Sequence, residues 1–218
     1  MSYKYIFFLV YFSCISFNDH VVDNGWELKK FDHGISVYTK TSTTSGLKEL
    51  RAITQVKASL SSIITLLNDW ESYPQWVYRC EVSKTLKKIT DTEFVHYQTI
   101  TTPWPVDYRD FVVYVKLSQD DKTKIVIQKS TSLPDYIVKV DNYVRITQFK
   151  ASWTLTPVPN GYVNVEYQLL VDPGGNVPVW LVNMAVVEGP YETLLHLKQW
   201  VTKEKYQKSK LSFIQELE

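Results

Sequence analysis

Cysteine is nearly absent from this 218-residue chain, which holds only Cys14 and Cys80. Cys14 falls in an amino-terminal apolar run; if that run is removed, Cys80 stands alone and no intrachain disulfide is possible. Charge of one sign is missing too. Twenty-four Lys and Arg face 23 Asp and Glu, a net +1, so no global field recruits nucleic acid, and a dedicated nucleic-acid binder is disfavoured. Seven Gly and nine Pro are too few for a collagenous or low-complexity chain. The hydrophobic content of 44% is too high for wholesale disorder. His20, His33, His96 and His196 are scattered, without an HExxH arrangement, and the chain has no GxSxG elbow, no P-loop and no dinucleotide fingerprint. No metal site and no cofactor are expected.

Aromatics are the excess: 7 Trp, 15 Tyr and 9 Phe. They combine large apolar area with a polar tip and are common where a cavity or interface is built. The run from Tyr5 to Phe17, YIFFLVYFSCISF, follows the single charge Lys4 and has the layout of a secretory signal. It is shorter than the roughly 20 residues of a membrane span. Cys14 and Ser16 offer a small-x-small cleavage site, so residues 1–16 are expected to be a signal peptide and the protein to be exported, periplasmic or secreted. A retained membrane anchor and lipid attachment at Cys14 are the alternatives.

Beyond Asn18 the chain shows no linker, repeat or long charge run, which implies one domain. Residues 26–31 read as a short helix or turn, and 35–40 and 48–57 as strands. Residues 59–68 read as a helix because Leu60, Ile63, Ile64 and Leu67 recur at helical spacing behind capping serines. A second short helix is expected near Pro74. Strand patterns follow at 80–88, 93–100, 109–117, 124–130, 143–156 and 162–171, most of them separated by turn chemistry such as Pro159-Asn160-Gly161. The chain ends in a long helical pattern over 178–208. Consecutive strands on short connections form an antiparallel sheet, and only the last helix is large enough to cover its apolar face. The expected class is α+β, a curved sheet gripping a carboxy-terminal helix.

On a helical wheel Trp180, Met184, Val187, Tyr191 and Leu194 share one side, adjoined by Val186, Pro190, Leu197 and Val201. The stripe suits core packing, or the roof of a cavity with Gly189-Pro190 as a kink that lets the roof move. Asn183 sits near its centre and needs a partner from the sheet, the helix backbone or a bound molecule. In 109–117 the alternation puts Arg109 on the face of Phe111, Val113, Val115 and Leu117, so a guanidinium faces the core, with Asp110 and Lys116 opposite.

Four stretches resemble the START family, the steroidogenic acute regulatory protein-related lipid-transfer domains of the helix-grip superfamily. They are LLNDWESYPQW at 66–76, FVHYQ at 94–98, TTPWPVDYRDFVVYV at 101–115 and DPGGNVPVWLVN at 172–183. The resemblance implies a helix-grip fold over residues 20–210. It further implies a non-catalytic carrier or sensor that encloses one lipid or sterol-like molecule between the sheet and the last helix, with a monomer as the working unit.

The expected ligand-binding set is Arg109, Glu81, Tyr97, Phe111, Val113, Trp180, Asn183, Met184 and Val187. By resemblance Arg109 is the family's cavity arginine and Glu81 its acidic partner. The residue pattern sets Glu81 on a face with Arg79, Ser83 and Thr85, so that pairing needs a bulge or a polar wall. Trp104, at the tip of a Pro-Trp-Pro loop, is open to two readings: transient contact with a membrane, or packing back onto the core. The lysines at 198, 203, 205, 208 and 210 read as a solvated helix end, with docking on anionic lipid as the alternative. An enzyme of the superfamily's cyclase or aromatase type, or a hydrolase, is the alternative function, with His96, Arg109 and Glu81 as its acid-base candidates.

Overall fold

The computed structural model describes residues 25–217, apart from 44 and 46. The expected signal at 1–16, with Cys14, lies outside the described residues. Ten strands form one sheet in the order β1-β2-β3-β10-β9-β7-β6-β5-β4, with β8 beside β6. Their spans are β1 Glu27–Asp32, β2 Ile35–Thr41, β3 Lys48–Lys57, β4 Cys80–Lys88, β5 Glu93–Ile100, β6 Tyr108–Gln119, β7 Val126–Ser132, β8 Tyr143–Arg145, β9 Gln148–Val158 and β10 Tyr162–Asp172. The helices are α1 Leu60–Leu67, α2 Tyr73–Trp76, α3 Val179–Trp200 and α4 Glu204–Gln207. The curved sheet, the long late helix and the short helices between early strands are the expected helix-grip plan.

Period-two alternation builds the inner face. Ile35 and Val37 on β2, Leu50, Ala52 and Val56 on β3, and Phe111, Val113, Val115 and Leu117 on β6 are all buried. Helix α1 starts where the sequence pattern set it. The Ser59 hydroxyl accepts from the Ser62 amide at 3.0 Å, and the Glu216 carboxylate accepts from the Leu60 and Ser61 amides at 2.8 and 2.9 Å. Side chains thus satisfy three donors that the first helical turn leaves unpaired, and the carboxy-terminal segment is pinned to α1.

Four expectations need correction. Residues 26–31 are neither helix nor turn: Glu27–Asp32 is an edge strand, mostly exposed, held by backbone pairing to β2 rather than by an apolar face. The pattern at 143–156 is two strands, because Tyr143–Arg145 pairs with β6 while the strand from Gln148 pairs with β7 and β10. The first of these, β8, runs parallel to β6, so the sheet is not antiparallel throughout. The helical pattern at 178–208 is also two elements, α3 and α4, joined by a turn. Gly189 and Pro190 lie inside α3, which runs through them uninterrupted.

The outer face carries a second small core. Val95, Tyr97 and Val112 pack there against Leu86, Leu133 and Ile137. The segment following β7 is clasped from beneath by Arg145, which donates to the Pro134, Ile137 and Val138 carbonyls while pairing with Asp110 at 2.8 and 2.9 Å.

Candidate functional site

Between the inner face of the sheet and α3 lies a cavity of about 480 Å³, within the roughly 300–1,000 Å³ range of small-molecule sites. Its walls are mainly apolar and aromatic. The sheet contributes two stacked pairs, Phe111 with Phe149 at 4.8 Å between centroids and Trp153 with Tyr167 at 4.2 Å. Helix α3 contributes Leu181, Met184, Val186 and Pro190. The segment joining α1 to β4 contributes Trp70, Tyr73 and Trp76. Gly189 belongs to this wall beside the Tyr78 ring, which a Cβ there would meet at 3.5 Å, an ordinary contact distance.

Of the nine residues expected to touch a ligand, Arg109, Phe111, Val113, Asn183 and Met184 line the cavity. Arg109 is 4% exposed and, among the described residues, has no ion-pair partner. Its Nε donates to the Pro173 carbonyl at 3.3 Å and Nη2 to that of Gly174 at 3.1 Å, and Nη1 donates to the Asp107 carbonyl. Burial pulls the guanidinium pKa down, partly offset by Asp107. Asn183 is exposed and takes its partner from the sheet, accepting from the Lys48 ammonium. That bond ties β3 to α3 between two residues of the cavity lining.

Glu81, Tyr97, Trp180 and Val187 are not on the cavity wall. Glu81 is exposed and accepts from the Tyr143 hydroxyl at 3.4 Å, so it does not pair with Arg109. A bulge interrupts the β4–β5 register between Cys80 and Ser83, but Ser83 is the residue buried there and Glu81 stays outside. Tyr97 belongs to the outer core, where burial and the neighbouring Asp110 push its hydroxyl up to about 12. Trp180 is 62% exposed while Leu181 is 5% exposed. A broad stripe on a wheel does not say which edge faces in: Tyr191 and Leu194 of the expected stripe are buried, but in the first turns of α3 the buried residues are Leu181 and Val186. Trp104 does not fold back: it is 93% exposed, next to Pro103 on the cavity wall.

Trp70, Gln128 and Tyr167 are among the cavity residues that the sequence reading did not select, and it named His96 only as an acid-base candidate of the alternative enzyme. The alternation in 93–100 opposes His96 to Tyr97, so that signal was present; which of the two faces enters the cavity depends on the sheet. His96 is 1% exposed and stacks on Trp70 at 4.2 Å. Burial drives its pKa to about 3, against smaller opposing contributions from the Gln98 side chain and the Lys84 backbone. Burial also raises the Cys80 thiol to about 12, which leaves it protonated and inert at neutral pH. At the end of α3 and beyond, Lys198 donates to the His33 carbonyl, Lys205 pairs with Asp69 at 2.6 Å, and Lys208 pairs with Glu204. These three lysines serve local bonds. Among the described residues no helix is long and apolar enough to cross a membrane.

Known proteins resemble this chain in sequence and fold. The crystal structure of a STAR-related lipid transfer protein from Xanthomonas axonopodis superposes with a TM-score of 0.76 at 35% identity, covering 83% of this chain and 100% of that one. An uncharacterized protein of Pseudomonas aeruginosa is 32% identical over 173 residues, 79% of this chain and 85% of its own length. The phosphatidylcholine transfer protein of Mus musculus is 28% identical over 170 residues, 75% of this chain and 78% of its own. The START domain model matches residues 20–208, and on that match the chain belongs to the START domain family.

Proposed function

We propose that this protein binds one lipid or other hydrophobic molecule in the cavity beneath α3 and acts as a carrier or sensor without catalysis. The supporting observation is the apolar, aromatic lining of that cavity between sheet and helix. Each 100 Å² of apolar cargo surface kept from water contributes about 2.5 kcal/mol, so an apolar cavity offsets the cost to an acyl chain or steroid nucleus of leaving the bilayer. The candidate acid-base groups do not converge: Glu81 is on the outer side, the Arg109 guanidinium serves backbone carbonyls, and the His96 ring is buried and uncharged. The same reading takes residues 1–16 as an export signal ahead of a single lipid-binding domain over 20–210 that works as a monomer.

Extraction and native mass spectrometry of the purified protein test the reading. A co-purifying or captured lipid at one per chain is expected, and a protein that stays empty in the presence of lipid vesicles overturns it. Ala151 on β9 lines the cavity, and Ala151→Trp fills space there. The variant is expected to keep its fold and to lose at least tenfold in lipid retention, read by the same spectra.

The rim of the cavity suits transient membrane contact. Trp104 and Trp180 are exposed, as is Val179 at 74%, and Trp side chains favour the bilayer interface. Trp104→Ala is expected to slow lipid uptake from vesicles several-fold while leaving the affinity for lipid already bound within about twofold, since the ring lies outside the cavity. Uptake at the parent's rate counts against this entry route.

A further inference from the structure

The cavity lining holds three cationic residues, Lys48, Arg79 and Arg109, and no Asp or Glu among the described residues. None of the three has an ion-pair partner among those residues. The Lys48 ammonium donates to Asn183, Arg79 Nε donates to the Tyr78 hydroxyl at 3.0 Å, and Arg109 donates to three backbone carbonyls. Two carboxylates influence them without touching them. Glu27, which feels Lys48, pairs instead with Lys29 at 2.6 Å, and Asp107 acts on Arg109 from outside the lining. Buried charges are ordinarily paired, yet Arg109 is 4% exposed with no carboxylate against it.

The three cations occupy one end of the sheet. In the antiparallel order β3, β4 and β6 start where β5 and β10 end; Lys48 opens β3, Arg79 precedes β4 and Arg109 is the second residue of β6. Register gives the spacing. Cys80, Ile100 and Arg109 are successive partners across β4, β5 and β6, about 10 Å of sheet, with Arg79 next to Cys80. Glu49 pairs with Leu170, which puts Lys48 beside Val171, about 7 Å along the chain from Pro173, whose carbonyl Arg109 binds. Helix α3 begins at this end, where Asn183 meets Lys48. The helix start has no side-chain cap and no acidic residue in its first turn, so the positive end of its dipole adds to the same field.

We infer that the Lys48–Arg79–Arg109 end of the cavity receives the anionic head of an amphiphilic cargo, a carboxylate or a phosphate monoester, whose acyl chain lies against the aromatic wall. This rests on the carrier reading and names the class of cargo. Lys48 and Arg79 are exposed, so an arriving head reaches them first, and the planar guanidinium groups match the paired oxygens of either anion. A choline head would set a second positive charge among three others with no carboxylate in the lining to balance it. A glycerol head would leave the three charges uncompensated.

The test offers the full chain phosphatidylcholine vesicles carrying equal mole fractions of oleate, oleoyl lysophosphatidate, oleoyl lysophosphatidylcholine and monoolein. All four share one tail, so the head alone distinguishes them. Bound species are read by native mass spectrometry. Retention of oleate, of lysophosphatidate or of both at least tenfold above the choline lipid and monoolein is expected, and the comparison of the two acids tells carboxylate from phosphate. The double variant Lys48→Gln with Arg79→Gln changes two exposed residues and is expected to fold, with a thermal midpoint for the lipid-free protein at or above the parent's because like charges are removed. It is expected to lower the preference for the anion over monoolein roughly 3–10-fold, the scale of two exposed charge contacts. Choline lipid or monoolein retained as well as both acids, or an undiminished preference in the folded double variant, overturns the anionic site and leaves the carrier reading standing. Retention of no lipid at all overturns both.

Discussion

Asp110→Ala is expected to lose about 3–5 kcal/mol of folding stability, seen in urea as a midpoint lowered by roughly 1.5–2 M. The Asp110 carboxylate and Arg145 guanidinium form a two-pronged pair at 2.8 and 2.9 Å, with both side chains 1% exposed. Without its carboxylate, the guanidinium stays buried against the Pro134, Ile137 and Val138 carbonyls, with only the weaker influence of Asp135 to oppose its charge. The cost comes mainly from that stranded charge rather than from the net worth of the intact pair. A double variant, Asp110→Ala with Arg145→Met, is therefore expected to recover part of the loss, giving a coupling of 1 kcal/mol or more in a double-mutant cycle. A loss below about 1 kcal/mol for Asp110→Ala would mean that water reaches the pair. The two functions of β6 follow from its alternation: Arg109 and Phe111 face the cavity, while Asp110 between them holds the outer loop.

The second large effect is on acid stability. His96 has a folded pKa of about 3 against an ordinary value of 6.5, because burial disfavours the imidazolium. The unfolded chain binds this proton as pH falls through 6.5, while the folded chain does not bind it until about 3. The neutral ring's contribution is thus complete above pH 6.5 and is lost progressively from 6.5 down to 3. The loss relative to pH 7 is about 2 kcal/mol by pH 5 and about 3 kcal/mol by pH 4. The pKa of Asp32 is lowered by hydrogen bonds from Tyr191 and then His33. It shifts stability in the same direction but below the ordinary carboxylate range, so the interval from pH 7 to 5 isolates His96. In urea titrations of lipid-free protein, His96→Phe is expected to flatten that interval. A variant that keeps the parent's slope would assign the acid sensitivity to another group.

Several features were readable from residues alone because they depend on local repeats. Period-two alternation put Arg109, Phe111 and Val113 on one face, and the Ser59 cap with helical spacing placed α1. Turn chemistry at Asn160-Gly161, both at positive φ, separated the last two strands, and the resemblance at 66–76, 94–98, 101–115 and 172–183 carried the family. Local repeats also misled. Helical stripe geometry ranks Trp180 with Met184, but the rotation of α3 is set by its packing on β2, β3 and α2, which turns Leu181 in and Trp180 out. The strand Glu27–Asp32 has no apolar face to announce it; its backbone pairs with β2.

The cavity residues divide along the same line. Alternation established that His96 and Tyr97 point to opposite sides, but the choice between sides lies in the curvature of the sheet and in what covers each face. Trp70 and His96 belong to separate segments and meet as a stacked pair, and Gln128 on β7 reaches Asn68 at the end of α1. Sequence by itself determined most of the elements, the α+β class and the family, since hydrogen bonding along the chain and hydrophobic period are short-range properties. Only the tertiary structure decided which side of each element faces the cavity and which distant side chains meet there. Burial and desolvation arise from segments far apart in the chain, and no local pattern encodes their meeting.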